Sequence, residues 1–378
     1  MPRFFATTSR GLEDVAAGEV RGLLGCNVRE GVGRVFFEAG LDAIPKLNLH
    51  SRTIHKVLLL LCRGSFETLN DVYAMAKRVD YTEFVDPERS FAVRAERSGV
   101  HPFTSMDVAA SVGQAVIDSY MEATGRRLRV NLDQPDVEFL CLVRGSEFVM
   151  GLNTTGASLH RRHYRVYDHP AALKTTIASA MIKLSGWKPS EPLLDPLCGG
   201  ATIPIEAALI ARRVPPGVFR GGDFAFLRLK FLDPAEFWEM RERALEEANS
   251  ESFPIYGLDK SLRYLEGASM NVESAGVGGT VTLLHGDATN LREYIGFTPR
   301  FVITNPPYGI RMRKPHLRTF YRNFLKSLVD IASGGTLLLI TAATKRFSEA
   351  AEAAGVGVEW RRTVYHGNVK TVIFKCTL

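Results

Sequence analysis

Apolar side chains at Leu12, Val15, Ala16, Val20, Leu23 and Leu24 recur three and four residues apart, the stripe of an amphipathic helix. β-like runs surround it at residues 4–8, 34–38 and 54–62. That order predicts a small split βαβ, ferredoxin-like unit. A second α+β unit follows. Residues 69–79 and 105–123 read as helices, residues 90–94 as a strand, and residues 137–143 and 148–152 as a hairpin turning at Gly145-Ser146. No internal repeat or low-complexity segment interrupts the pattern.

Beyond residue 170 the rhythm changes. Leu173, Ile177, Met181 and Leu184 share one stripe of a helix over residues 171–187. Four short apolar runs then lead into polar residues: 193–194 into Asp195, 256–258 into Asp259, 283–284 towards Asp287, and 301–303 towards Asn305. In an open α/β sheet, ligands gather at the carboxyl ends of the strands, so these four residues define one candidate site. Residues 335–341 read as a buried strand and 345–354 as a helix, and residues 358–365 and 369–376 form a hairpin about His366-Gly367-Asn368. Residues 212–254 read as an inserted, mostly helical stretch, with Phe224, Phe226 and the charged run 236–247 as surface elaboration.

Composition narrows the function classes. With 46% apolar residues the chain can bury a sizeable core, but no apolar run approaches the roughly 18 residues that span a bilayer. The first eight residues lack the apolar stretch of a signal peptide. Five scattered cysteines suit neither a zinc site nor a disulfide framework, so a reducing cytoplasm is expected and no metal. The net charge of +6 is unevenly spread, because residues 1–170 hold 21 basic and 21 acidic side chains and the remainder holds 26 and 20. Two basic clusters stand out, at residues 160–165 and 311–318. Arg161, Arg162 and Arg165 in the first, and Arg311, Arg313 and Lys314 in the second, could neutralise nucleic-acid phosphates.

The chemistry is carried by two loops. Asn305-Pro306-Pro307-Tyr308 is rigid because each proline fixes φ and removes a donor. The Asn305 side-chain oxygen and the Pro306 carbonyl could accept both hydrogens of an exocyclic amine while Tyr308 lies against the ring. Upstream, Asp195-Pro196-Leu197-Cys198-Gly199-Gly200-Ala201-Thr202 reads as a tight strand-to-helix turn. It lacks the lysine of a P-loop and the spacing of a dinucleotide fingerprint. An acid opening such a turn suits a ligand with a cationic amino-acid head, as in S-adenosylmethionine. Asp259 could bind ribose hydroxyls and Asp287 an adenine amine.

With these motifs, residues 171–378 resemble a class I S-adenosylmethionine-dependent methyltransferase domain of the N-methylating kind. Residues 91–97, 103–106 and 131–137 resemble the THUMP domain of RNA-modifying enzymes, and residues 156–165 resemble the junction before the catalytic domain in THUMP guanine-N2 methyltransferases. The resemblance implies four parts: a ferredoxin-like domain (1–59), a THUMP domain (60–155), a linker (156–170), and a Rossmann-like catalytic domain (171–378). Its sheet is expected to be seven-stranded and mostly parallel, with a reversed last strand.

The resemblance further implies that Asp195, Pro196, Cys198, Gly199, Gly200, Ala201 and Thr202 surround the methionine part of the cofactor. Asp259 would hold the ribose, Asp287 with Ala288 the adenine, and Asn305, Pro306 and Tyr308 the target amine, with Lys260 and Asn305 also bordering the cofactor. Ala201 stands where many relatives have glycine. Arg94 and Arg97 are expected to touch RNA. The implied reaction is methylation of guanine N2 at tRNA position 6, with the acceptor stem and 3′ end as partner and no obligate protein partner evident. The alternatives are a large-subunit rRNA guanine-N2 methyltransferase, a tRNA position 10 enzyme, and a non-catalytic RNA-binding module.

Overall fold

The computed structural model describes residues 1–308 and 314–378. Its N-terminal half comprises β1 (Arg3–Thr8), α1 (Glu13–Leu24), β2 (Val28–Gly31), β3 (Arg34–Glu38), α2 (Ala43–His50), β4 (Ile54–Ser65), α3 (Leu69–Lys77), β5 (Ser90–Ser98), α4 (Ser105–Thr124), β6 (Arg129–Val130), β7 (Val137–Arg144) and β8 (Glu147–Asn153). Local signals set the helix ends. Thr68 with Asp71 and Thr104 with Asp107 form reciprocal capping boxes at α3 and α4, and Gly125 closes α4 with φ +71°.

These strands form one sheet in the order β2-β3-β1-β4-β8-β7-β5-β6. The long strand β4 joins the two units, pairing Leu58 with Phe5 of β1 on one side and with Asn153 of β8 on the other. The expected ferredoxin-like and THUMP units therefore share a strand, and residues 59 and 60 both lie within it.

The C-terminal half contains α5 (Thr175–Ser185), β9 (Leu193–Asp195), α6 (Thr202–Ala211), α7 (Pro234–Glu246), β10 (Ile255–Asp259), α8 (Leu262–Ser274), β11 (Val281–His285), β12 (Phe301–Thr304), α9 (Lys314–Ala332), β13 (Thr336–Thr341), α10 (Thr344–Ala353), β14 (Gly357–His366) and β15 (Val369–Thr377). Its sheet runs β11-β10-β9-β12-β13-β15-β14. The first five strands are parallel, and β15 runs antiparallel to both neighbours, as expected for a reversed last strand. Strand order reverses at β9, so the gap between the ends of β9 and β12 is the topological switch point where ligands bind.

Residues 212–254 are not a surface elaboration. Phe224, Phe226 and Phe237 are buried against one another and belong to the core that continues through the N-terminal half. The Phe226 backbone N–H donates to the Thr154 carbonyl at 2.8 Å, just after β8. The insertion is a wedge between the halves. Only α7 and two short 3-10 turns, Pro216–Arg220 and Ala225–Arg228, are helical.

Polar locks join the same halves. Glu19 of α1 accepts from the Ser51 and Thr53 hydroxyls at 2.6 Å each and pairs with Lys183 of α5 at 2.5 Å. Burial alone would raise the Glu19 pKa; Lys183 and the hydroxyl donors outweigh it and hold the carboxylate below its ordinary value. At the surface, Arg362 makes a two-point contact with Asp14 at 2.6 and 2.8 Å.

Candidate active site

The four strand ends meet. Asp195, Asp259, Asp287 and Asn305 line one cavity of about 640 Å³ at the switch point, together with Lys260, Ala288, Pro306 and Tyr308. This is the size range of small-molecule sites. The loop after β9 supplies the floor, where Cys198, Gly199, Gly200 and Thr202 line the cavity. Ala201, wholly buried, takes φ +60° as it turns the chain into α6. A side-chain-bearing residue in the left-handed region is held there by its surroundings. Pro196 is buried in the turn. Cys198 packs its sulfur beside Gly257 of β10, and burial pushes the thiol pKa well up, so it acts as a filler.

The acids differ in their surroundings. Asp195, 2% exposed, accepts from the Thr304 hydroxyl at 2.8 Å and the Leu197 N–H at 3.2 Å, yet burial raises its pKa to about 7. Asp259 accepts from the Gly199 N–H at 3.0 Å and the Ser261 N–H at 2.9 Å, which ties the end of β10 to the glycine loop. Asp287 accepts from the Thr289 N–H and hydroxyl at 2.9 and 2.7 Å. Burial works against its ionisation, but these bonds keep its pKa below the ordinary value.

At the end of β12, the Tyr308 hydroxyl donates to Asn305 Oδ1 at 2.7 Å, and Asn305 Nδ2 reaches the Ala171 carbonyl at 3.4 Å. The acceptor oxygen expected to receive an amine is thus occupied by Tyr308 in this conformation. A base stacked on Tyr308 requires that ring to leave Asn305, or to share its second lone pair.

The linker supplies parts of the site that its sequence did not announce. His169 packs its ring against Gly199 and lies edge-on to Tyr264 at 4.3 Å. Asn271 of α8, 1% exposed, accepts from the Tyr167 N–H at 2.9 Å and donates to the carbonyls of Tyr167 and Gly200 at 3.1 Å each. One amide therefore fixes the linker to the glycine loop.

The expected RNA-binding arginines divide. Arg94 and Arg97 are exposed, Arg94 pairing with Glu138 at 3.3 Å and Arg97 donating to the Gly99 carbonyl at 2.8 Å. Arg161 is exposed. Arg162 is a correction: it is buried 3.5 Å from the wholly buried Glu206 and donates to the Leu159 and Arg52 carbonyls, so it cannot meet RNA. Arg165 is half-buried and binds the Leu173 carbonyl and the Thr202 hydroxyl at 3.0 Å, bracing the first residue of α6. Arg311 and Arg313 lie outside the described residues, and the Lys314 side chain likewise.

Comparison with known proteins matches each part. Residues 162–372 match the family described as RMKL-like, methyltransferase domain; residues 3–58 match the RlmL ferredoxin-like domain, and residues 66–153 the THUMP domain. The tRNA (guanine(6)-N2)-methyltransferase of Methanocaldococcus jannaschii is 40% identical over 99% of this chain and 100% of that one, and that of Archaeoglobus fulgidus 43% identical over 98% and 91%. The ribosomal RNA large subunit methyltransferase K/L of Aliivibrio salmonicida is 30% identical over 89% of this chain but only 48% of its own. The structure of "a possible methylase from Clostridium difficile 630" superposes with a TM-score of 0.89 and 25% identity, covering 100% of this chain and 98% of that one. The chain belongs to the THUMP-domain methyltransferase family with an RMKL-like catalytic domain, and it shares its full length with the tRNA (guanine(6)-N2)-methyltransferases.

Proposed function

We propose that this chain transfers the methyl group of S-adenosylmethionine to N2 of guanine 6 in the tRNA acceptor stem. The observation that carries the reading is the convergence of Asp195, Asp259, Asp287 and Asn305 on one cavity, in a chain alike end to end with tRNA (guanine(6)-N2)-methyltransferases. The donor set fits the cofactor. Asp195 can meet a cationic amino-acid head, Asp259 keeps lone pairs for two hydroxyls beyond the N–H bonds it accepts, and Tyr264, Pro306 and Phe320 offer apolar walls to a flat ring. When bound, S-adenosylmethionine supplies an electrophilic methyl on a sulfonium.

The protein's work is alignment, which can account for much of a barrier reduction. Asn305 Oδ1 and the Pro306 carbonyl accept the N2 hydrogens, which favours the more nucleophilic amine and offsets positive charge developing on nitrogen. No strong base is needed, since the methylated nitrogen sheds its proton readily. Drawing the base from its stack costs a few kcal/mol, and stacking on Tyr308 returns about 1–3 kcal/mol. The THUMP domain would hold the tRNA 3′ end, with the protein working as a cytoplasmic monomer.

The test is transfer of labelled methyl to an unmodified tRNA transcript, with mass mapping of the product, for the wild type and Asn305→Ala. N2-methylguanosine at position 6, lost in Asn305→Ala with RNA binding retained, is expected. Product only on ribosomal RNA would replace the substrate, and no transfer to either RNA would overturn the reading.

A further inference from the structure

A second cleft, of about 400 Å³, lies where β1, β4, the THUMP strands, the linker and the C-terminal hairpin come together. Six cations line it, Arg10, Arg34, Lys56, Arg97, Arg144 and Lys174, against a single carboxylate, Glu96. Two are neutralised: Arg34 pairs with Glu147, and Lys56 with Glu138 at 3.1 Å. The other four have no ion-pair partner among the described residues. Arg10 is fixed in place by stacking over the Tyr365 ring at 4.2 Å. Lys174 is half-buried, and burial lowers its pKa, with only the charge of Glu96 opposing.

The cleft adjoins the catalytic cavity through adjacent residues. Leu173 lines the cavity and Lys174 the cleft, while His366 lines the cavity between Tyr365 and Gly367 of the cleft. Two histidines of its lining, His55 and His160, are hydrogen-bonded and neutral. His55 bonds Ser9 at 3.1 Å and His160 bonds Ser158 at 2.7 Å. Burial, then the nearby Lys174, push these imidazoles down to about 3 and about 4, so both are uncharged at neutral pH.

Cations without ion-pair partners, in a cleft next to the catalytic cavity, call for an anion. We propose that this cleft is a phosphodiester channel that holds the RNA backbone beside the target nucleotide, with Lys174 and Arg10 nearest the catalytic cavity and Arg97 and Arg144 on the THUMP wall. The proposal rests on the substrate being RNA. It assigns a register to the two halves: a strand gripped here by its phosphates places the next base at the Asn305 loop.

The test is binding of labelled, unmodified tRNA transcript across a salt series by the full-length wild type, Arg10→Met/Lys174→Met, Arg97→Met/Arg144→Met and Lys174→Arg. Removing one cation that neutralises a phosphate should lower the slope of log affinity against log salt by about 0.7–0.9, so each double variant should show a slope smaller by roughly 1.4–1.8. Lys174→Arg should keep the wild-type slope, and affinity for S-adenosylhomocysteine should not change. The THUMP-wall pair keeps the test decisive should the first pair misfold, as a thermal melt would show. Unchanged slopes in the folded double variants overturn the channel even where the wild type methylates tRNA. Reduced slopes uphold it even where the methylated product proves to be another nucleotide, and a wild type that does not bind tRNA overturns both.

Discussion

Asp195 is the residue at which folding and the proposed cofactor binding oppose each other. An ordinary aspartate titrates near 3.8, but this one is held at about 7 by burial. The folded state therefore keeps a proton that the unfolded chain has already released between those values. Stability contributed by the protonated form is full below pH 4 and falls as pH rises towards 7, a difference of order 4 kcal/mol at 1.36 kcal/mol per pKa unit. Asp195→Asn keeps an oxygen acceptor for Thr304 and Leu197 but carries no charge. Denaturant titration of the cofactor-free protein should find this variant more stable than the wild type at pH 8, with the gap closing by pH 4. An equal difference at both values would show that the buried charge is not the cause. The same variant should bind S-adenosylhomocysteine more weakly, because its amino group would lose its counter-charge. The identity of this acid was legible from an aspartate ending an apolar run. Its protonation was not, because that depends on how completely β9 is covered by its neighbours.

Elements whose chemistry is written in adjacent residues were readable, and those whose role depends on distant partners were not. The ends of β9, β10 and β12 could be read because a short apolar run stops at a polar residue. The hairpin β14–β15 could be read because Gly367, at φ +62°, supplies the turn. Arg162 looks like its neighbours in a basic run, yet Glu206, 44 positions on, draws it inside. The linker's hold on the glycine loop was equally hidden, because Asn271 lies a hundred residues from Tyr167. Replacing Asn271 with alanine leaves one N–H and two carbonyls without their partner, and an unsatisfied buried group costs about 1–3 kcal/mol. Calorimetry should therefore find the S-adenosylhomocysteine Kd of Asn271→Ala raised, by about tenfold for each 1.4 kcal/mol that falls on the loop. An unchanged Kd with a lowered melting temperature would make the clamp purely structural.

Across the whole molecule, the wedge formed by residues 212–254 decides whether the two halves act as one body. Its sequence reads as decoration because the stretch carries a charge-rich helix, while Phe224, Phe226 and Phe237 pack on one another inside a core that continues through the THUMP side. Val214 and Phe219 of the same stretch pack against both the N-terminal and the catalytic cores, and Lys183–Glu19 crosses the same boundary. Chains of this size usually unfold domain by domain. Here the shared core and the Lys183–Glu19 pair should couple the halves, so scanning calorimetry of the wild type should give one transition whose van't Hoff and calorimetric enthalpies agree. Phe226→Ala removes a buried ring from the wedge at a cost of about 3–5 kcal/mol and should split that transition in two. Because Phe226 does not line the catalytic cavity, the affinity for S-adenosylhomocysteine should hold while the KM for tRNA rises, since RNA gripped by one half would no longer be registered against the other. Two separate transitions in the wild type would mean that the wedge does not lock the halves. The distance from THUMP wall to Asn305 would then be set by the RNA and not by the protein.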